Sequence, residues 1–474
     1  MSAEPHVRTV SLDAAAGRWT LAAAVLGSGM AFLDSTTVTV ALPAIGRQLG
    51  GGLALLQWVI AGYLLAFGAL VLTGRALAGA IGGDRAFLIG AAAFGATSAL
   101  CAAAPAAGVL VVARLLQGAS ASLLAPASFA VVASAFAPED RGRAVALWAG
   151  VAGAATVAGP LVGGILVDHA GWSWVFWINV PLALAAVIAG IRFVPARQVR
   201  RKPLGESLDL GGAGTCLLGL GLLAYGVIEG PSLGFHRLRV LGSLAAGVLL
   251  LVAFTVLEAR REHPMLPLQL FRIREFAVAS LTTLLVYAAL TAALLLAVLE
   301  LQEVAGYTAL GSGAALVPVT LLILLSPRIA RALAWAEPRR LMVTGALLAA
   351  LGALLLVRVS AGASYFGAVL PACVVLGLGL AVTVAPLTAT VLGSVPSVRA
   401  GVASEVNSMV ARLAGLAGVA AIPVAAGLGA RPAGGAAFTS GFHRAMVVAA
   451  VLCVAAAAVA LLGLRSSPGD GAAA

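Results

Sequence analysis

Apolar runs of about 18 residues or more recur along the chain, from residues 19–43 to 443–464, and each is long enough to cross a bilayer core. No other feature restricts folding so strongly. In lipid every backbone N–H and C=O must be paired within the protein, which leaves helices or closed barrels. Runs of this length, bounded by charge, proline or glycine clusters, read as helices, and about fourteen of them can be counted. Of the 474 residues, 61% are hydrophobic and 10% charged, against roughly 25% charged in soluble domains. The expected fold class is an all-α polytopic membrane protein.

The net charge of +11 raises the question of nucleic acid. The basic residues, however, are scattered between runs and form no basic domain, so no nucleic-acid partner is expected. They read instead as topology signals facing the cytoplasm and anionic lipid. With the N-terminus inside, the basic residues that fall outside are Arg47, Arg237, Arg239, Arg358, Arg431 and Arg444, and two, Arg114 and Arg412, fall within runs. All others are cytoplasmic, and the richest loop runs from Arg192 to Lys202. Arg237 and Arg239 fit this orientation worst. An even count puts both termini on the cytoplasmic side of the cell membrane. Residues 1–18, with Glu4, Arg8, Asp13 and Arg18, read as a retained tail and not a cleaved signal.

Several chemistries are unsupported. Lys202 is the only lysine and lies in RKP, outside any GxxxxGK[ST] pattern, so ATP is not expected to drive the protein directly. Cys101, Cys216, Cys373 and Cys453 are far apart and form no CxxC pair, which gives neither a disulfide framework nor a zinc site. No cofactor or metal is expected. An intramembrane enzyme would need HExxH, a GxSxG-type nucleophile or a carboxylate dyad on one helix, and a channel would need a repeated filter segment; turnover or single-channel conductance would bring either back.

An internal repeat organises the runs. LLAPASFAVVASAFAPEDRG (123–142) resembles VTVAPLTATVLGSVPSVRAG (382–401): each has Ala-Pro within a span, a Ser eight residues later, then Pro and Arg at the next span. Pro126 and Pro386 fall in the fourth and twelfth spans, so two six-helix halves would be separated by an additional pair of helices. A chance match of Ala-rich segments is the other account. Repeated halves are a common architecture of secondary transporters. The division expected is a cytoplasmic tail (1–18), an N-terminal six-helix bundle (19–194), a basic cytoplasmic linker (195–208), two additional transmembrane helices (209–257), a cytoplasmic linker (258–275), a C-terminal six-helix bundle (276–464) and a cytoplasmic tail (465–474).

Four charged residues lie clearly inside spans: Asp34, Arg114, Glu405 and Arg412. A charge at bilayer depth costs at least ~2.5–3.5 kcal/mol on insertion scales, so each needs a reason. Asp34 and Arg114 both fall in the outer half of their spans and can partner if their helices face one another. Such a pair is either a fixed packing contact or a carboxylate that exchanges a proton for a cationic substrate. Arg114, Gln117, Ala121 and Ser122 make a small, polar face on the fourth span. On the thirteenth, Glu405, Ser408, Met409 and Arg412 follow helical spacing beside Asn407, which fits either a water-filled cavity or a self-satisfied Glu405–Asn407 contact. The expected substrate cavity is therefore Asp34, Gln117, Glu405, Asn407 and Arg412. Glu300 and Glu303 read as rim residues, and Trp172, Trp174 and Trp177 as an interfacial aromatic belt. In the fifth span, Gly159 and Gly163 form GxxxG around Pro160, which suits tight packing or a pliable contact between rocking halves.

Together these segments resemble the fourteen-helix drug/proton antiporters (EmrB/QacA-like) of the major facilitator superfamily. FLDSTTVTVALPAI (32–45) looks like that family's first-span signature and RLLQGASASLLAPAS (114–128) its fourth-span basic motif. AGPLVGGIL (158–166) resembles the antiporter motif and GWSWVFWINVP (171–181) the sixth-span entry; LQEVAGYTALGSGAALVP (301–318) and VPSVRAGVASEVNSMVARLAG (395–415) are similar to later segments. The resemblance implies proton coupling through Asp34 and Arg114, and control of leak and gating by Gly159, Pro160 and Gly163. One loop departs from the family. Where G-[KR]-L-A-D-R-x-G-R-[RK] is usual, this chain has GRALAGAIGGDRAFLIG (74–90), with Gly79 at the position of the acid. Gly74, Arg75 and Arg85 remain for a cytoplasmic gating loop, with Asp84 as a shifted acid. Glu405 stands where the family has a small residue.

The function expected is proton-coupled efflux of amphipathic, cationic drugs or toxic compounds by alternating access, with small molecules, protons and the bilayer as partners and a monomer as the unit. The runner-up is export of an endogenous neutral or anionic metabolite, such as a self-made antibiotic.

Overall fold

The computed structural model describes residues 9–195, 209–261, 264–429 and 435–464. The expected basic linker beyond residue 195, with Lys202, lies outside the described residues, as do Arg431 and the tail 465–474. Fourteen spans follow one another: α1 (Ala15–Leu49), α2 (Leu53–Ile81), α3 (Gly83–Ala102), α4 (Ala107–Ala135), α5 (Pro138–Ala170), α6 (Trp174–Phe193), α7 (Leu210–Leu233), α8 (Leu238–Arg260), α9 (Arg274–Glu303), α10 (Ala309–Leu324 continued by Ser326–Ala332), α11 (Pro338–Leu356), α12 (Tyr365–Gly393), α13 (Ser397–Ala425) and α14 (Gly435–Gly463). Their ends carry the expected local chemistry. Gly82 and Gly171, at φ 99° and 96°, turn the chain out of α2 and α5 in a conformation that suits glycine. Pro138 and Pro338 open α5 and α11, where no N–H is needed. α10 bends by 48° just before Pro327, a proline that removes a helical hydrogen bond.

α1 to α6 pack into one bundle, with α1 against α4, α5 and α6, α2 against α4, and α3 against α4 and α6. α9 to α14 form the second, through α9 with α13 and α14, α11 with α12 and α14, and α10 with α12. The bundles meet along two seams, α2 with α13 and α5 with α10. Under the eight-helix offset of the sequence repeat, α10 corresponds to α2 and α13 to α5, so each seam joins the second helix of one half to the fifth of the other. α7 and α8 pair with each other outside the two bundles, and α7 also packs against both α2 and α13.

The Thr20 hydroxyl donates to the Phe193 carbonyl at 2.8 Å, and Arg274 Nε to the Gly463 carbonyl at 2.8 Å. The start of α1 thus lies beside the end of α6 and the start of α9 beside the end of α14; as eight spans separate the two starts, all four share one end of the molecule, here the tail side, and the other end is the far side. Two expectations change at the far side. Trp172 is buried, and its indole N–H donates to Gln48 Oε1 at 2.6 Å, so only Trp174 and Trp177 remain exposed as belt residues. Glu300 is not a rim residue: it is fully buried and accepts a hydrogen bond from Thr439 at 2.7 Å, because the end of α9 is covered by α14.

Candidate functional site

The N-terminal bundle encloses a polar cluster built from five helices. Arg114 Nη1, on α4, donates to Asp34 Oδ2, on α1, at 2.6 Å, and both side chains are at most 2% exposed. Asp34 Oδ1 accepts two further hydrogen bonds, from Gln117 Nε2 at 2.9 Å and from Asn179 Nδ2 of α6 at 3.1 Å. Arg114 is spent on three partners. Besides Asp34 it donates from Nε to the Val59 carbonyl at 2.9 Å and from Nη1 to Gln117 Oε1 at 2.6 Å, while its guanidinium lies 4.4 Å from the centre of the Tyr63 ring. Gln117 also donates to Ser98 Oγ of α3 at 2.8 Å. Burying two ions costs several kcal/mol each, and only close geometry with the remaining lone pairs filled repays that. Here those conditions hold. Asp34 and Gln117 face one another inside the bundle and do not line the cavity between the bundles.

That cavity, of about 760 Å³, opens on the tail side and is walled by α1, α2, α4 and α5 on one side and α12 and α13 on the other. Of the residues expected to line it, Glu405 and Arg412 do so. Asn407 turns away and accepts a hydrogen bond from Thr283 Oγ1 of α9 at 2.9 Å. Glu405 makes no contact with Asn407; its carboxylate lies 2.7 Å from Arg75 Nη1 of α2, so this pair joins the two bundles near the cavity mouth. Asp84, in the first turn of α3, and Gly79 also border the mouth; Arg85 is exposed, and Gly74 lies inside the bundle against the Ser122 carbonyl. Arg412 sits about seven residues, or ~10 Å, deeper than Glu405 along α13, with its guanidinium 3.7 Å from the centre of the Phe67 ring.

The far half is sealed between the bundles. Gln57 Nε2 donates to the Val419 carbonyl at 2.6 Å across α2 and α13, and Gln302 Nε2 to the Val40 carbonyl at 3.0 Å across α9 and α1. Asp168, at the end of α5, accepts the N–H groups of Ala309 and Leu310 at 3.0 and 2.9 Å, capping the positive end of α10. Arg47 and Glu303 pair at 2.6 Å on the surface. Gly159 and Gly163 occupy the α1–α5 contact: a methyl group at Gly163 would lie 2.8 Å from the Thr37 side chain and 2.9 Å from its carbonyl. Pro160 lies one residue away, with its carbonyl against Gly313 of α10.

The geometry is that of a two-bundle carrier holding a cavity open to one side, and the comparisons agree. The family model described as Major Facilitator Superfamily matches residues 24–419. The chain belongs to the major facilitator superfamily. Within it, the chain is 34% identical over 406 residues to the tetracenomycin C resistance and export protein of Streptomyces glaucescens, covering 85% of this chain and 75% of that protein. It is likewise 34% identical over 432 residues to the puromycin resistance protein pur8 of Streptomyces alboniger, covering 89% and 85%. In fold it is similar to the POT-family transporter PepTSo, with a TM-score of 0.67 at 15% identity, covering 94% and 97% of the two chains. The protein is thus a multi-span superfamily transporter acting on small molecules in the bilayer, with relatives named for antibiotic resistance and export.

Asn179, Tyr63 and Ser98 were not singled out from the sequence, although all belong to the Asp34 cluster. Asn179 lies within GWSWVFWINVP, so its segment was marked while its role was not. Asp168 carried a usable signal, since it is an acid at the end of a span four residues after Gly164.

Proposed function

We propose that this superfamily member is an EmrB/QacA-like antiporter of the plasma membrane. In this reading the tail side is cytoplasmic, and amphipathic compounds leave the cell as protons enter. The observation that carries the coupling is the buried Asp34–Arg114 pair and its place beside the α1–α5 contact. A proton reaching Asp34 cancels the charge that Arg114, Gln117 and Asn179 all face. Asp34 lies two and three residues before Thr36 and Thr37, which abut Gly159 and Gly163; α5 in turn backs onto α10 through Pro160 and Gly313. A change in how α1 seats on α5 is therefore delivered to a seam between the bundles. That route supports alternating access, with the far-side bonds breaking as the mouth closes. One proton moving inward across ~100 mV supplies about 2.3 kcal/mol, which sustains roughly a fifty-fold gradient. One chain carries the cavity, both closures and the paired charge, which favours a monomer as the transport unit.

The cationic cargo expected from the sequence depended on Asp34 lining the cavity. With Asp34 enclosed and Glu405 beside Arg75, support for that charge preference is weak, whereas the export reading does not depend on it.

The test is substrate-induced collapse of ΔpH in inside-out vesicles, comparing wild type with Asp34→Asn across cationic, neutral and anionic amphipaths. Proton release that requires Asp34 supports the reading. If the variant matches wild type while remaining monodisperse in detergent, proton coupling through Asp34 is wrong.

A further inference from the structure

The cavity wall carries a guanidinium, that of Arg412, for which no described residue supplies an acceptor. Among the described residues Arg412 makes no ion pair and no hydrogen bond; its guanidinium lies over the Phe67 ring, 3.7 Å from the ring centre, with Tyr63 and Tyr287 also nearby. The Trp148 indole N–H, on the opposite wall, is buried without an acceptor. Trp148 is ten residues into α5 and Arg412 twelve residues beyond Ala400 on α13, so both lie ~15–18 Å along their helices from the tail side. The other charged residues of the cavity are near its mouth. Arg75 and Glu405 offset one another, and Asp84 stands in the first turn of α3, where the helix dipole favours a negative charge. Asp84 Oδ1 is an unpaired acceptor, at the opposite end of the cavity from Arg412. The deep end therefore holds a cation without an anion, at the depth where transporters of this architecture bind cargo.

We infer that Arg412 forms the receiving end for an anion, and that the cargo is a flat aromatic carboxylate. The guanidinium lies over Phe67 and has no hydrogen-bond partner, so its N–H groups are available to meet two oxygens side by side. The wall around it is aromatic as well as apolar: Phe32, Phe129 and Trp148 join Phe67, with Phe129 and Trp148 rings 5.4 Å apart. Planar ring systems stack against such faces. An anion also removes the cost of keeping Arg412 unpaired within the membrane. This assignment rests on the export reading for one point, that the cavity carries cargo.

Three probes of one shape and different charge separate the alternatives: naphthoate, naphthamide and naphthylmethylammonium, measured by equilibrium dialysis against the purified full-length protein in detergent. Naphthoate is expected to bind tightest. Arg412→Gln should weaken naphthoate by about tenfold or more, the usual worth of a charge-assisted hydrogen bond, while changing naphthamide by less than about threefold. Naphthamide binding thus reports that the variant is folded, and Arg412→Lys should recover part of the naphthoate affinity. Equal affinity for the three probes, tightest binding of the ammonium compound, no binding of any, or naphthoate binding indifferent to Arg412→Gln would each overturn the assignment. The same probes in the ΔpH assay keep the two readings apart. Proton release driven by the ammonium compound alone retains the antiporter and overturns the anion site. Arg412-dependent naphthoate binding without proton release supports the site and tells against coupled export.

Discussion

Arg114 and Arg412 are both arginines set deep in transmembrane helices, one in each bundle, and their surroundings are opposite. Arg114 is enclosed, faces a carboxylate, and also donates to a carbonyl and an amide oxygen. Arg412 has an aromatic ring on one face and open cavity beyond it. The same side chain is thus a paired ion in one half and an unpaired one in the other. Intramembrane charge alone does not identify a binding site; what identifies it is a partner left missing.

That contrast is broken most strongly at the enclosed end. Arg114→Ala should destabilise the protein by about 3–5 kcal/mol, because Asp34 is left buried and unpaired. Arg412→Ala should change stability by less than about 2 kcal/mol, because losing the cation–π contact is opposed by removing an unpaired intramembrane charge. Thermal unfolding in detergent checks both, and similar losses at the two positions would erase the distinction drawn here. Combining Arg114→Gln with Asp34→Asn should restore much of the stability lost by Arg114→Gln alone, since the cost lies in the orphaned charge; a purely additive double-mutant cycle would contradict this.

Smaller effects sharpen the comparison of the two closures. Gly163→Val forces side-chain atoms onto Thr37 and should cost about 1–3 kcal/mol, with transport falling further than stability if the α1–α5 contact must move. Asp168→Asn weakens the cap on α10 by about 0.5–1 kcal/mol and should raise the alkylation rate of an Ala305→Cys reporter at the far side; an unchanged rate would mean that Asp168 does not hold that closure. The smallest change is expected from Arg75→Ala. Its pair with Glu405 is partly exposed, at 40% and 22%, so it should contribute under about 1 kcal/mol and fade as salt is raised. A large, salt-independent loss would make this pair the principal tail-side lock.

The spans were readable because the bilayer imposes one length and one polarity on each of them. Only the bend in α10 obscures the count, since it leaves thirteen unbroken candidates and one broken one. The meeting of Asp34 with Arg114 was also within reach, as two opposite charges at similar depth in lipid have little choice of partner. Asn179 and Tyr63 were out of reach, because uncharged polar and aromatic side chains carry no such penalty to announce them. Glu405 was legible only in part. Its helical spacing fitted either a cavity or a contact with Asn407, and it does line the cavity, but its neighbour Arg75 lies in the other half of the sequence and depends on how the bundles dock. The end of α2 was hidden for the same reason: Gly79 stands where an acid was expected, and the carboxylate facing Arg75 comes from α13.

The position of α7 has a consequence for traffic from the lipid. It lies along one seam, in contact with both α2 and α13, and the Trp58 indole N–H of α2 donates to its Glu229 at 2.9 Å. Among the described residues no helix covers the α5–α10 seam in the same way. A compound dissolved in the membrane and diffusing sideways toward the cavity meets a third wall on one flank and only two helices on the other. The two flanks of this carrier are therefore unequal doors, and the added helix pair makes the protein directional within the plane of the membrane as well as across it.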